Sequence, residues 1–113
     1  MFQNTRIYQR SIELVGLVPE IIAGLPPGMA FLADQLRRAS TSIVLNFSEG
    51  YGKSPRDERR FFNIARHSAQ EVLAILDAAK ALDAIADTPY RAAGDCCDHL
   101  IRMLTKFRKL AVA

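Results

Sequence analysis

The sequence lacks the features that define several large classes of protein. No apolar run approaches the roughly 18 residues that a membrane span requires, and residues 1–8 hold neither a basic region nor a cleavable apolar stretch. No segment alternates apolar and polar side chains as a β-strand does. The chain of 113 residues has the length of one domain. We therefore expect a single all-α domain over residues 1–113, located in the cytoplasm and without a membrane partner.

Cysteine is scarce as well. Cys96 and Cys97 are the only two, and they are adjacent within a predicted helix, where neighbouring side chains point in different directions. A disulfide between them is therefore not expected. Cys97 falls on the apolar stripe of that helix, whereas Cys96 is expected to lean outward. Free thiols also suit a reducing compartment.

Side chains that could form a catalytic or metal site are few. A serine nucleophile would need a base, and sequence spacing places neither His67 nor His99 beside one, although folding could bring them close. Asp95, Asp98 and His99 form the one cluster with metal-ligand character, but no Glu-x-x-His pair occurs, and a solvated helix face has the same composition. We expect no enzyme, no catalytic residue, no metal site and no cofactor.

Four helical patterns, separated by short loops, account for most of the chain. They are predicted over residues 5–23, 29–51 and 55–86, with a last helix that follows Thr88-Pro89. Ser54 and Thr88 each precede a proline, the combination of capping side chain and first-turn proline that starts a helix. Loops this short favour antiparallel neighbours, which predicts an up-down-up-down four-helix bundle.

The third helix is predicted to bury a continuous apolar face. Its members recur at spacings of three and four: Phe61, Ile64, Ala65, Ser68, Val72, Ile75, Ala79 and Leu82.

The second helix has an unusual pattern, because no charged residue occurs between Arg38 and Glu49. Three turns without charge rarely face water, so this helix should be buried nearly all round. Polar side chains nevertheless recur along one of its faces. With partners from the third helix they predict a structural polar seam of Arg38, Ser42, Asn46, Glu49, Arg66 and Glu71. Arg38 is expected to pair with Glu71, and Glu49 with Arg59, since buried polar groups need partners.

The other faces of the second helix hold more apolar surface than one bundle would bury. Together with the broad apolar arc of the first helix, this surplus predicts an interface between copies of the chain. We assign the interface to Ile43, Val44, Leu45 and Phe47. Heterologous contacts of this kind can close into a ring. The alternative is a monomer with a thick core.

Charge is segregated along the chain. Residues 37–66 hold seven basic and three acidic side chains, residues 67–98 hold two and six, and residues 99–113 hold four and none. Antiparallel helices would bring the two basic blocks to one end of the bundle. The resulting nucleic-acid-binding residues are Lys53, Arg56, Arg59, Arg60, Arg102, Lys106, Arg108 and Lys109. A concentrated positive end is the footprint expected for phosphate backbones. Basic residues near a helix C-terminus also complement its dipole, which is the alternative explanation.

A family resemblance is carried by the central part of the chain. The segments Leu36-Arg-Arg-Ala39, Ser42-Ile43, Asn46, Glu49-Gly-Tyr-Gly52, Arg60-Phe61, Ile64-Ala-Arg66, Ser68 and Glu71 resemble the four-helix bundle protein family, which includes proteins encoded in intervening sequences of large-subunit ribosomal RNA genes. More distantly, the chain is similar to the accessory protein of diversity-generating retroelements. That likeness implies a basic pentameric barrel that binds nucleic acid and a reverse transcriptase. Val44-Leu45 stands where the family usually has small or proline-like residues.

The residues and the resemblance lead to one functional expectation. The chain should form a non-enzymatic homo-oligomer, with a pentamer as the first choice, that binds RNA or DNA through phosphate contacts without base specificity. It contains no helix-turn-helix motif, zinc finger or aromatic ladder. The alternative is a protein-interaction or scaffold module, with a reverse transcriptase or another protein as its partner.

Overall fold

The chain folds as four α-helices around one apolar core. The computed structural model describes residues 1–112, and the side chains of residues 1–107. A 3-10 turn at Phe2–Asn4 precedes α1 (Arg6–Ala23), α2 (Ala30–Gly50), α3 (Pro55–Ala81) and α4 (Asp87–Val112). Within these described residues there is no strand, which confirms the all-α class and the number of helices. None of the helices in the described part is long and apolar enough to cross a membrane.

Capping side chains start two of the helices. The Thr5 hydroxyl accepts a hydrogen bond from the backbone N–H of Tyr8 at 3.2 Å, and the Ser54 hydroxyl accepts one from Asp57 at 3.4 Å. The predicted cap and proline at the start of α3 are therefore confirmed. The prediction for its end was wrong, because α3 stops at Ala81. Asp83 there adopts a φ of 58°, a left-handed conformation that no helix continues through.

Each helix packs against two others, since α1 and α3 both lie between α2 and α4. Ser42 of α2 meets Ser68 of α3, whereas Phe47, later in α2, meets the earlier Phe62. This order is compatible with the predicted antiparallel arrangement. The particle is elongated, with extents of 46 × 21 × 19 Å.

The buried core differs from the prediction on α3, and also on α2 and α4. On α3 the most buried side chains include Phe62, Ala69 and Leu76, whereas the predicted Ile64 and Leu82 are exposed. The buried face is thus rotated from the predicted one, because residues on either side of a stripe are hard to rank by spacing alone.

Two corrections concern α2 and α4. Ile43 and Phe47 are fully buried inside the bundle, so they cannot form the predicted interface with another copy. Cys96 was expected to lean outward but is buried together with Cys97, and neither thiol forms a disulfide. Cys96 faces the seam with α1, where Arg10 and Leu17 line the same small surface cavity. Packing by α1 therefore widens the buried face of α4 beyond a single stripe.

Candidate nucleic-acid interface

One end of the bundle brings the first basic block of the sequence together with Lys106 of the second. The rings of Phe62, near the start of α3, and Phe107, late in α4, lie 5.5 Å apart at an interplanar angle of 87°. Phe2 reaches the same end, with its ring 6.4 Å from that of Tyr51, the residue that follows α2. These contacts join the N-terminal turn, the α2–α3 turn and α4 at a single surface. We call this end, from Tyr51 through Phe61 together with Lys106 and Phe107, the basic pole.

Two glycines shape the turn that presents the pole. A Cβ at Gly50 would lie 2.6 Å from the Cβ of Phe61, so only glycine lets α2 and α3 approach this closely. Gly52 has a φ of 82°, a left-handed conformation that other residues rarely adopt. The backbone N–H of Lys53 then donates to the carbonyl of Gly50 at 3.1 Å, which closes the turn. The chain therefore turns sharply between the two helices, and Tyr51 and Lys53 lie in this tight turn.

Basic side chains dominate the described part of the pole. Five of the predicted residues lie there: Lys53, Arg56, Arg59, Arg60 and Lys106. The acidic residues beside them are Glu49, Asp57 and Glu58. The N-terminus of α3 adds the positive end of a helix dipole, which also favours anions.

Ion pairs neutralise part of this charge. Lys53 lies 3.5 Å from Glu49, and Arg60 lies 4.0 Å from Asp57. Both pairs are well exposed to water, so each holds its basic partner weakly. Arg56 and Lys106 are exposed and make no ion pair with any side chain that the structure describes. At least these two cations are therefore open to a phosphate.

The remaining predicted basic residues are placed less favourably or not at all. Arg102 is exposed on α4, more than one turn before Phe107, at the margin of the pole. The side chains of Arg108 and Lys109 lie outside the described residues. Their part in the interface remains a prediction from the sequence.

A cluster of aromatic rings underlies the pole. Phe47 stacks on Phe62 with centroids 4.9 Å apart, and it also contacts Tyr51 at 5.9 Å. The guanidinium of Arg60 lies 4.6 Å from the centroid of Phe61, a cation–π distance. No aromatic ladder is visible in the sequence, because these rings come from three helices and the N-terminal turn rather than from one periodic segment. Only the Gly-Tyr-Gly turn, with its aromatic residue between two glycines, gave a local signal.

The predicted polar seam is shorter than expected. Asn46 Nδ2 donates to the Ser42 carbonyl at 2.9 Å and to the Ser42 hydroxyl at 3.0 Å, and this hydroxyl lies 2.8 Å from that of Ser68. Ser68 was assigned to the apolar face of α3, yet it is the link between the two helices. The half-buried polar seam therefore consists of Ser42, Asn46 and Ser68.

The charged members predicted for the seam lie elsewhere. Arg38 and Glu71 are both exposed, and among the described side chains they form no ion pair, so that predicted pair is wrong. Glu49 is exposed and bonds to Lys53 one turn away. Arg66 lies against His67, with Nη2 and Nε2 3.1 Å apart, while its Nε is buried without a hydrogen-bond partner. Arg38, Glu49 and Glu71 instead extend into water and leave the seam to uncharged side chains.

The exposed side of α2 and α3 carries the apolar surface that Ile43 and Phe47 do not. Leu45 is 64% exposed, Val44 is half-buried, and three further large side chains on this side are exposed: Phe31, Ile64 and Leu82. Phe31, Arg38 and Leu45 follow one another at spacings of seven along α2, and Ile64 and Glu71 are seven apart on α3, so each set lies on one side of its helix. Leu82, the residue directly after α3, comes eighteen residues, or five helical turns, after Ile64. We call the surface of Phe31, Arg38, Leu45, Ile64, Glu71 and Leu82 the outer face.

The histidine and acidic cluster of α4 does not assemble as a metal site. Within the described residues, no group of three His, Cys, Asp or Glu side chains is placed to hold a metal ion. His99 Nδ1 instead accepts a hydrogen bond from Arg10 Nε at 3.2 Å, and Arg10 also bonds to Glu13 at 2.6 Å. Burial, and then the nearby Arg10 charge, lower the pKa of His99. The neutral ring serves here as a hydrogen-bond acceptor between α4 and α1.

Comparison with known proteins agrees with the fold. The model of the family described as 23S rRNA-intervening sequence protein matches residues 3–106. The chain is similar to a solved structure of a protein of unknown function from the S23 ribosomal protein family of Bacteroides thetaiotaomicron VPI-5482. The TM-score is 0.82 at 21% identity, over 91% of this chain and 98% of that chain. A search of curated proteins finds no match. The family match covers α1, α2, α3 and most of α4 and confirms the resemblance noted from the sequence: the chain belongs to the 23S rRNA-intervening sequence protein family.

Proposed function

We propose that the chain is a non-enzymatic nucleic-acid-binding protein whose basic pole contacts phosphate groups. The contact between Phe62 and Phe107 carries this proposal, because it brings Lys106 of α4 to the end where the α2–α3 turn presents Lys53 and Arg56. Arg56 and Lys106, the exposed cations without a described ion pair, are the first candidates for phosphate contact. The family's name refers to 23S rRNA, so an RNA strand is the first probe.

The physical basis is electrostatic. A binding protein that neutralises phosphates releases condensed counterions, and its affinity falls as salt rises. Each phosphate contact contributes about one to the slope of log affinity against log salt. Since the bonds of Lys53 and Arg60 to carboxylates are exposed, both side chains can exchange a carboxylate for a phosphate at little cost.

A charge-matched pair of variants tests the proposal. The first replaces Lys53, Arg56 and Lys106 of the pole by alanine. The control replaces Arg37, Lys80 and Arg91, which lie away from the pole in exposed ion pairs with Asp34 and Asp87. Both variants lose three positive charges. We expect the pole variant alone to lose most of its affinity, and its salt slope to fall by about three.

Binding is measured by fluorescence anisotropy with labelled RNA and DNA between about 50 and 200 mM salt, a range over which phosphate contacts change affinity strongly. Equal loss in both variants would mean that net charge, rather than the pole, attracts the ligand. Absence of binding to every nucleic acid at the lowest salt would favour the scaffold role, with a reverse transcriptase or another protein as partner.

We further propose that the chain is an up-down-up-down antiparallel bundle that assembles with copies of itself through the outer face, with a pentamer as the first expectation. Four large apolar side chains are exposed there, and such patches mark interfaces. Arg38 and Glu71 lie in the middle of the patch with opposite charges. Since neither has a described ion-pair partner in its own chain, each can pair with its counterpart on another copy.

Light scattering tests the assembly. The intact protein should have a mass several times the 12.6 kDa of the chain. Leu45→Asp should reduce this mass without unfolding the bundle, because the side chain is mostly exposed in the single chain. Ile12→Asp is the matched control, since Ile12 is exposed on α1, which is not part of the outer face. A monomeric intact protein, or an unchanged mass for Leu45→Asp, would refute assembly through this face.

A further inference from the structure

We propose that the basic pole selects single-stranded nucleic acid, with the rings of Tyr51 and Phe107 stacking on unpaired bases. This inference rests on the proposed phosphate binding and adds a base contact to it. It also revises the expectation from the sequence, which predicted contacts to the backbone alone. RNA and DNA strands present the same aromatic base faces, so the inference concerns unpaired bases of either kind.

The first observation is that the pole exposes two rings beside its cations. Tyr51 is 39% exposed and Phe107 is 37% exposed, although both belong to an aromatic cluster. Their buried edges contact Phe47 and Phe62, which stack on each other between them. Tyr51 and Phe107 are therefore held in place by buried rings while part of each faces water.

The second observation is that a lysine lies close to each of the two exposed rings in the sequence. Lys53 follows Tyr51 by two residues, and Lys106 directly precedes Phe107. Both lysines belong to the basic pole, so this end of the bundle presents cations together with the two exposed rings. Proteins that bind single strands combine a positive surface with aromatic rings on which bases stack.

Phe61, the third aromatic residue of the pole, differs from Tyr51 and Phe107 in the cations that lie near its ring. Arg60 lies 4.6 Å from the centroid of Phe61 and Lys53 lies 5.9 Å from it, so both cations are near this ring. The half-buried Phe61 ring therefore already has Arg60 and Lys53 as partners within the pole. Within the described residues no cation lies over the ring of Tyr51 or of Phe107, so both ring faces can accept a base.

A duplex cannot use such rings, because its base faces are already stacked within the helix. It offers the pole phosphates alone, whereas a single strand offers phosphates and base faces. Removing an exposed ring on which a base stacks typically weakens binding by about tenfold. Preference for a single strand is therefore the measurable consequence of stacking.

The experiment compares ligands of equal length and the same backbone. The probes are a labelled single strand, a duplex of the same sequence and an abasic strand that retains phosphates and sugars, each at the same salt. The single strand is made as RNA and as DNA, so that the two natural sources are distinguished. Because each of the two rings contributes about tenfold, we expect the single strand to bind about a hundredfold more tightly than the abasic strand.

Two substitutions of one residue assign the effect to the ring. Tyr51→Leu keeps an apolar side chain against Phe2 and Phe47 but removes the ring, whereas Tyr51→Phe keeps the ring. Tyr51→Leu should bind the single strand about tenfold more weakly and leave abasic binding unchanged, and Tyr51→Phe should bind as the intact protein does. The chain has three tyrosines and no tryptophan, so quenching of tyrosine emission by the single strand, lost in Tyr51→Phe, gives a second readout.

The outcomes separate this inference from the proposed function. Equal affinity for the single strand, duplex and abasic strand would overturn base stacking and leave phosphate binding intact. No binding to any probe would overturn both. A preference for the single strand that is undiminished in Tyr51→Leu would mean that no base stacks on this ring, and would overturn the assignment to Tyr51.

Discussion

Replacing Gly50 by alanine should destabilise the bundle, although the same change stabilises most helices. Gly50 is the last residue of α2 and is buried against the start of α3. The new methyl group would lie 2.6 Å from the Cβ of Phe61 and 3.3 Å from two ring carbons of Phe62. The nearest of these atoms is attached directly to the α3 backbone, so the contact can be relieved only if the two helices separate.

Two opposing contributions set the change in the free energy of unfolding: overpacking by the new methyl group and the higher helix propensity of alanine. Overpacking a tight contact costs about 1–3 kcal/mol, and an obstacle fixed to the backbone places this case in the upper part of that range. Alanine gains at most about 1 kcal/mol over glycine in a helix, and less at the terminal residue. We therefore expect a net loss of about 1–2 kcal/mol in the free energy of unfolding. At roughly 4 °C per kcal/mol for a domain of this size, Tm should fall by about 4–8 °C.

Thermal unfolding followed by circular dichroism at fixed protein concentration measures the effect. Gly94→Ala and Gly16→Ala are the controls, because these helical glycines have nothing within 4 Å of an added Cβ. Both controls should stabilise the protein by about 0.5–1 kcal/mol, since alanine restricts the unfolded chain. If Gly50→Ala melts at or above the temperature of the intact protein, the close approach of α2 and α3 at this point is refuted.

Two further predictions concern buried groups. Ser42→Ala and Ser68→Ala should each destabilise the protein, because each removes one partner of the 2.8 Å hydrogen bond between the two hydroxyls. A double-mutant cycle should give a coupling energy of about 0.5–1.5 kcal/mol, and additive effects of the two substitutions would contradict that bond. Burial raises the pKa of Cys97 to about 12 and also raises that of the buried Cys96. Because the thiolate is the reactive form, a disulfide reagent at about pH 8 should modify neither thiol until denaturant unfolds the chain, and rapid reaction in buffer would contradict their burial.

The sequence predicted the helices better than the contacts between them. Apolar periodicity, the Ser54-Pro55 start of α3 and the short loops were sufficient for the class and the helix count. The end of α3 was missed because Asp83 adopts a left-handed conformation without being glycine. Asparagine, aspartate and glycine are the residues that tolerate this conformation, and aspartate is too common on helix surfaces to mark a helix end by itself.

The candidate site shows where such prediction fails. Counting charges placed two basic blocks at one end, and the contact between Phe62 and Phe107 agrees with this. The predicted ion pair between Arg38 and Glu71 was wrong. The register of a helical hairpin fixes which residues lie at the same height along the two helices, but the direction of each side chain decides whether the two charged groups come into contact. The aromatic cluster was missed for a related reason, since its rings come from separate helices and share no sequence period.

The two proposed surfaces occupy different parts of the bundle, and this makes their roles compatible. The outer face runs along the side of α2 and α3, from Phe31 near the start of α2 to Leu45 near its end. The basic pole lies at the end of the bundle, beyond Gly50. Copies that assemble side by side through the outer face can therefore leave every pole exposed. Several weak phosphate contacts on one assembly would then act on a single strand together, which raises the apparent affinity without any new contact. The proposed assembly would let a chain with a formal net charge of only +3 present a strongly positive surface, because each added copy would contribute another basic pole.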